Sequence, residues 1–297
     1  MPLTSIESLR KSYETDLFRT LRELRSNTPR IIVPPRKDLY SKQLKAPVHP
    51  YPEVFIQTGG ATAFQCPGSD FQLEAGEICV MPRGLPHAEK PIDKRSPYSV
   101  SVIGISMGRL FFIRGRKDPT GNIHSHQYLH LDQAGGHELA RYLDEMSEYH
   151  SLPPESQPTY ILALLEAFLL RAHAALLQPS HDEDSQHLPL LIEKAISHVR
   201  IHLSNPELNV TQVARALTCT PDHLSRQFHR TMGTHMTTWI TKERINLAKY
   251  LLDTSPQNIG EISWACGFTS TSYFIRSFKR LTGMTPKAYR HSHSSPR

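Results

Sequence analysis

Arg226 and Arg276 stand fifty residues apart in a 297-residue chain, and each is followed at i+3 and i+4 by a pair that can carry positive charge, His229 and Arg230 after the first, Lys279 and Arg280 after the second. A guanidinium offers a planar fork of donors that pairs bidentately with the O6 and N7 edge of guanine. Residues at i, i+3 and i+4 share one side of a helix, so the spacing suits nucleic acid if helices carry it. On a helical wheel with Leu224 at the origin, Asp222, Arg226, His229 and Arg230 fall in one polar sector while Phe228 and Met232 stay near Leu224. With Phe274 at the origin, Ser272, Arg276, Lys279 and Arg280 take the same sector and Phe278 and Leu281 stay near Phe274. One such helix is an ordinary surface helix. Two with the same phase need a reason.

An internal repeat supplies it. Asn209, Val210, Gln212, Val213 and Ala216 recur 49 residues later as Asn258, Ile259, Glu261, Ile262 and Ala265. After a one-residue slip, Leu224, Arg226, Phe228, Arg230 and Gly233 recur at 50 as Phe274, Arg276, Phe278, Arg280 and Gly283. A slip between two halves of a unit is where a turn belongs, so each unit reads as helix, short turn, helix. The second helix of a helix-turn-helix lies in the major groove. Asp222, Ser225 and Arg226 are the candidate base readers of the first motif, and Thr271, Ser272 and Arg276 those of the second. His229, Arg230, Lys279 and Arg280 lie further along and are the candidate phosphate contacts. Between the motifs, HMTTWITKERINLAKYLLD has the apolar spacing of a connecting helix. About 17 helical residues span roughly 25 Å, which would hold two reading helices about one DNA turn apart.

The charge distribution agrees. Beyond Gln186 there are 14 Lys and Arg against 6 Asp and Glu, a net +8, whereas the preceding residues have 20 against 22, a net −2. A basic block segregated at one end is a common footprint of a nucleic-acid-binding module. The boundary falls in QPSHDEDSQHLP, which has linker composition. At the other end, Ile6, Leu9, Tyr13, Leu17, Leu21 and Leu24 predict an amphipathic first helix. Residues 28–130 then turn to short β-rich runs separated by Gly and Pro (IIV, EVFIQT, ATAFQC, EICVM, YSVSVIGIS), the texture of an antiparallel sandwich or barrel. GGHELARYLDEMSEYH and PTYILALLEAFLLRAHAALL read as two helices, the second apolar nearly all round and so expected to be buried, in its own domain or against a second subunit. Leu165 and Leu169 are its candidate interface residues. Tyr160–Leu177, the most apolar stretch, contains Glu166, Arg171 and His173, and the first residues lack the apolar core of a signal peptide. No membrane association and a cytoplasmic location are expected. The four cysteines form no C-x-x-C pair and read as reduced thiols.

NIGEISWACGFTSTSYFIRSFKRLTGMTPKAYR resembles the signature of the AraC/XylS transcription regulators, with Ile262, Gly267, Phe268, Tyr273, Phe274, Arg276, Phe278, Lys279, Gly283, Pro286 and Arg290 at the family's positions. Ser263, where the family more often has Ala, and Cys266 depart from it. The resemblance extends back to about Leu190. It implies seven helices, recognition of a long double-stranded DNA site by each domain, and activation through contact with RNA polymerase.

The first half resembles the cupin sensor domains that many such regulators carry. Gly76, Pro82, Gly84 and His87 in GEICVMPRGLPH fit the second cupin motif, and His49 and Glu53 have the His-x3-Glu spacing of the first, whose other histidine falls on Pro47. Two histidines and a carboxylate can hold Fe(II) or a similar divalent ion. With 17 histidines in the chain such a pair also arises by chance, so no cofactor is the first expectation and a divalent metal on His49, Glu53 and His87 the alternative. As effector-pocket residues they would be polar groups in a mostly apolar cavity.

The expectation is an α+β protein of two domains. An N-terminal amphipathic helix (1–27), a cupin-like effector-binding barrel (28–130), dimerisation helices (131–178) and a linker (179–189) precede a DNA-binding domain with two helix-turn-helix units (190–297). The function expected is an effector-responsive transcription regulator of the activator kind, not an enzyme and with no catalytic residues, sensing a small molecule such as a sugar and acting as a homodimer. Alternatives are a metal-binding cupin sensor, a cupin-type enzyme fused to a DNA-binding domain, and a DNA-binding protein whose barrel only dimerises.

Overall fold

The computed structural model describes residues 6–26, 29–37, 39, 49–93, 97–106, 109–117, 123–132, 136–178 and 189–293. The chain divides into two compact units, Met1–Ser180 and His181–Arg297.

The N-terminal unit is built on a six-stranded sheet of β1 (Ile31–Ile32), β5 (Ile78–Met81), β2 (Glu53–Gly59), β7 (Ser99–Ser106), β8 (Arg109–Lys117) and β9 (Ile123–Asp132), in that spatial order. Only the β1–β5 ladder is parallel. A second sheet of β4 (Phe71–Leu73), β3 (Thr62–Gln65) and β6 (Ala88–Pro91) is antiparallel throughout. Side chains alternate across a strand, and the six-stranded sheet uses both faces. Val54, Ile56, Ile78, Val80, Ile103, Ile105, Leu110 and Phe112 point to a helical layer of α1 (Ile6–Ser26), α2 (Gly136–Ser147) and α3 (Gln157–Leu177). Phe55 turns the other way and meets Phe64 of the small sheet edge-on at 5.1 Å, while Phe64 stacks on Phe71 at 5.0 Å. Among the described residues no ladder joins the two sheets edge to edge.

Helix α1 buries the stripe read from the sequence, Leu9, Tyr13, Leu17, Leu21 and Leu24. Polar ties fix its rotation. Arg114 of β8 donates to Ser12 Oγ at 2.9 Å, forms an ion pair with Asp16, and lies over the Tyr13 ring at 4.9 Å. Arg25 bonds Glu166 of α3 at 2.6 Å.

Helix α3 is long and apolar enough to cross a membrane by length and composition, yet Ile161, Leu165, Phe168, Leu169, Ala172, Ala175 and Leu176 are core residues of this unit. Leu165 and Leu169 have no exposed surface, which removes them as an interface between subunits. The outward side of α3 carries Ala163, Ala167, Leu170, Ala174 and Leu177, with Leu170 42% and Leu177 56% exposed, and Phe18 of α1 is 57% exposed. A helix apolar nearly all round thus divides into a core stripe and an open stripe, a distinction that composition alone does not make.

The strand runs read from the sequence correspond to β1, β2, β3, β5 and β7. The two longest strands, β8 and β9, fall outside those runs. RLFFIRGRK is framed by Arg109 and Lys117, and IHSHQYLHLD alternates histidines with other residues, so neither shows the apolar run or strict apolar alternation that marks a strand.

The C-terminal unit has seven helices among its described residues: α4 (Leu190–Ile201), α5 (Val210–Ala216), α6 (Pro221–Met232), α7 (Met236–Thr254), α8 (Ile259–Ala265), α9 (Thr271–Thr282) and α10 (Pro286–His293).

Candidate functional site

The repeat in the sequence is a repeat of capping chemistry. Asn209 Oδ1 accepts from Gln212 N at 3.0 Å to start α5, and Asn258 Oδ1 accepts from Glu261 N at 3.0 Å to start α8. Glu261 returns the bond to Asn258 N at 2.8 Å, completing a capping box. Thr220 caps α6 and Ser270 caps α9 through their hydroxyls. Gly233 and Gly283 end the two second helices in the left-handed conformation, at φ 65° and 84°. Each second helix is thereby started and stopped at equivalent residues, which gives α6 and α9 a common phase.

Packing carries the equivalence one helix further than the sequence matches did. Phe228 of α6 lies 5.5 Å from Trp239 of α7, and Phe278 of α9 lies 5.5 Å from Tyr289 of α10. Trp239 and Tyr289 are again fifty apart. The signal was present as an aromatic at matching positions, but a match between Trp and Tyr escapes a search for identities. Leu224, Phe228, Phe274 and Phe278 are fully buried, so the inner side of each second helix is fixed in its motif's core.

The polar sectors therefore face outward. Asp222, Arg226, His229 and Arg230 on α6 are exposed, with Ser225 half-buried; on α9 Thr271, Ser272, Arg276, Lys279 and Arg280 are exposed. Among the described residues none of Arg226, Arg230, Arg276, Lys279 and Arg280 forms an ion pair. Cations held on well-packed helices without an internal counter-charge are available to phosphates or base edges. Tyr273, 46% exposed at the start of α9, stands beside these groups and was not read as part of the site. Its place in the signature suggests packing, and its ring does lie 6.0 Å from Phe268, but much of it remains open.

A second cluster lies in the N-terminal unit. His49, Glu53 and His87 bring one ligand atom each to within 4.8 Å of one another. Gly84 N donates to His49 O at 2.7 Å, tying the segment before β2 to the loop before β6. Nδ1 of His87 bonds Leu85 O at 2.9 Å, which assigns the proton to Nδ1 and leaves the Nε2 lone pair toward Glu53, 3.7 Å away. Burial raises the Glu53 carboxyl well above its ordinary range and lowers His87, so it disfavours the charged form of each. Glu53 Oε2 is buried without a hydrogen-bond partner. Two imidazoles, a carboxylate and an orphaned buried oxygen suit a small cation or a ligand's donor group, and the set fits a divalent ion. Tyr51 stacks on His49 and Phe55 meets His87 edge-on, and Phe111 backs Tyr51. Pro47, at the remaining ligand position, lies outside the described residues.

Residues 193–292 match the family described as a helix-turn-helix domain. The chain is 31% identical over 129 residues to the arabinose operon regulatory protein of Escherichia coli (strain K12), covering 43% of this chain and 42% of that protein. It is 32% identical over 133 residues to the HTH-type transcriptional activator RhaR of Escherichia coli O1:K1 / APEC, covering 43% and 47%. The chain thus spans less than half the length of these relatives. A solved structure, the C-terminal domain of AraT from Geobacillus stearothermophilus, is 28% identical with a TM-score of 0.37, over 38% of this chain and 93% of that one.

Proposed function

We propose that this chain, whose C-terminal unit is a helix-turn-helix domain of the AraC type, is a double-stranded DNA-binding transcription regulator that answers to a small molecule. One observation carries the reading: the same exposed, unpaired basic side recurs on α6 and α9 in one phase, fixed by matching caps. Asp222, Ser225, Arg226, Thr271, Ser272 and Arg276 read base edges, and His229, Arg230, Lys279 and Arg280 hold phosphates. The protein acts in the cytoplasm as an activator through RNA polymerase. Its relatives are regulators, which supports a non-enzymatic role.

The effector site is the cluster of His49, Glu53 and His87. Its polar groups beside Tyr51 and Phe55 suit a small hydroxylated ligand, and a sugar is the class that the name of the arabinose operon regulatory protein suggests. The close approach of the three ligand atoms favours a second reading, a divalent-metal sensor. Metal analysis of the purified protein separates the two. The active species is a homodimer joined through the outward side of α3 and Phe18.

The test is selection of binding sequences from a random DNA library, followed by variants. Arg276→Ala is expected to weaken the selected site by about 1–3 kcal/mol and to relax preference at one base position. Lys279→Ala is expected to weaken all DNA alike and lower the salt slope by about one. A library that returns no preferred sequence removes the proposal.

A further inference from the structure

Helix α7 runs from the first motif to the second, and one side chain on it touches both surroundings. Arg244 Nε donates to Leu203 O at 3.1 Å and Arg244 Nη2 donates to Asn205 O at 2.7 Å. These carbonyls belong to the segment between α4 and α5, the entry to the first motif, where Asn205 Oδ1 also accepts from Glu207 N at 2.9 Å. The same guanidinium lies over the ring of Phe268, 5.8 Å from its centroid, in the turn between α8 and α9. Gly267, at φ 81°, completes the junction: a Cβ there would stand 2.5 Å from Leu203 O and 3.0 Å from two Arg244 nitrogens. Nearby, Arg200 of α4 approaches Glu243 of α7 at 3.9 Å.

The two motifs differ here. Thr218, the counterpart of Gly267, is exposed, so the first motif's turn has no such clamp. Only arginine suits the junction, because a planar fork serves two carbonyls while its flat side lies on a ring, and an ammonium on a flexible stem cannot do both.

We infer that Arg244 is a positioning residue that fixes the separation and phase of α6 and α9, so that the protein accepts two half-sites at one spacing. Removing the fork frees the entry segment of the first motif from the turn of the second, and the motifs then pivot about α7. This rests on the DNA-binding reading, but its geometric part does not.

The test has an arm for each part. In the full-length chain carrying Cys219→Ser, nitroxide labels are placed through His223→Cys and Tyr273→Cys, exposed and equivalent positions on α6 and α9, and their separation is measured by pulsed dipolar spectroscopy without DNA. A single narrow distribution is expected, broadened by Arg244→Ala and only partly by Arg244→Lys. An unchanged width in Arg244→Ala overturns the inference. If Arg244→Ala loses its helical signal or melting transition, Phe268→Leu, which removes the ring from beneath the guanidinium and keeps an apolar side chain beside Phe274, takes its place and the same broadening is expected. In the DNA arm, half a helical turn of DNA is inserted between the half-sites of a selected operator. The unaltered protein should lose affinity steeply on insertion, and Arg244→Ala should discriminate roughly five- to tenfold less while holding an isolated half-site equally well. Equal discrimination overturns the spacing role. Failure of the unaltered protein to bind any DNA would remove the functional reading, with the label distances still deciding whether Arg244 holds the motifs.

Discussion

Thr218 and Gly267 occupy the same place in the two motifs, the turn between first and second helix, and both have positive φ, 57° and 81°. Glycine adopts that region freely, whereas a β-branched residue there is strained by about 1–3 kcal/mol. Thr218 is exposed and its backbone N–H bonds Arg215 O at 3.2 Å, so replacing it removes no core packing and no backbone bond. Thr218→Gly is therefore expected to stabilise the C-terminal unit by roughly 0.5–1 kcal/mol, after subtracting the greater unfolded-state freedom of glycine. A lower melting temperature for this variant would mean that the Thr218 side chain stabilises the turn by more than its strain. The one-residue slip in the repeat marked where the turn lay. It did not show that the two turns share a backbone conformation, because a conformation is legible from a glycine and invisible beneath a threonine. The exposed polar sides of α6 and α9 were legible because helical phase follows from spacing alone. The junction at Arg244 was not, since it joins residues 41 and 39 positions apart through backbone carbonyls that carry no residue identity.

Elements impose the next constraint, and α4 carries an unusual one. His198 and His202 stand one turn apart with ring centroids at 4.3 Å. Burial, and then the neighbouring His202, lower His198 to about 4, and burial lowers His202 as well. A histidine whose folded pKa lies below its unfolded value of about 6.5 binds fewer protons when folded, so stability rises with pH between the two values. The contribution is fully present above about 6.5 and is lost as pH falls toward 4. Thermal melting of the C-terminal unit should move to lower temperature as the pH is lowered through that window, and His198→Gln should flatten the dependence; a slope unaltered in the variant would assign the effect elsewhere. Helix α3 poses a different question. Its core stripe was legible as burial, but the choice between the unit's own core and a second subunit depends on which side meets the sheet, and a helix apolar all round does not declare a side. With Leu165 and Leu169 committed to the core, glutamate there would unfold the unit and report nothing on assembly. Leu170→Glu with Phe18→Glu is expected to give a folded monomer in sedimentation, and a dimer of unchanged affinity would place the interface on another surface.

At the scale of the whole molecule, the two compact units are separate folding problems. The core of the N-terminal unit is one cluster running, among the described residues, from Leu9 to Leu176. The sequence showed this division as a change of charge and texture before it showed any fold. The sheets were legible in the β-rich runs, but the cluster of His49, Glu53 and His87 only through two short motifs, because pocket chemistry is scattered over strands whose register a linear sequence does not state. Separate cores predict two unfolding transitions in calorimetry. A ligand that binds only one folded unit raises that unit's transition, by about 2.7 kcal/mol at a hundredfold excess over Kd. A divalent ion or sugar acting at the sensor cluster should therefore raise one transition, and an operator duplex the other. Regulation requires more than this, since an effector that changes DNA affinity must be coupled to it, and coupling is reciprocal. With the effector bound, the duplex should tighten or loosen effector binding by the same factor by which the effector changes DNA binding, about 5- to 150-fold for couplings of 1–3 kcal/mol. Titrating each ligand in the presence and absence of the other measures both factors. Equal factors different from one establish a regulator that responds to its ligand, whereas factors of one in both directions would leave a DNA-binding protein whose N-terminal unit assembles the dimer and senses nothing.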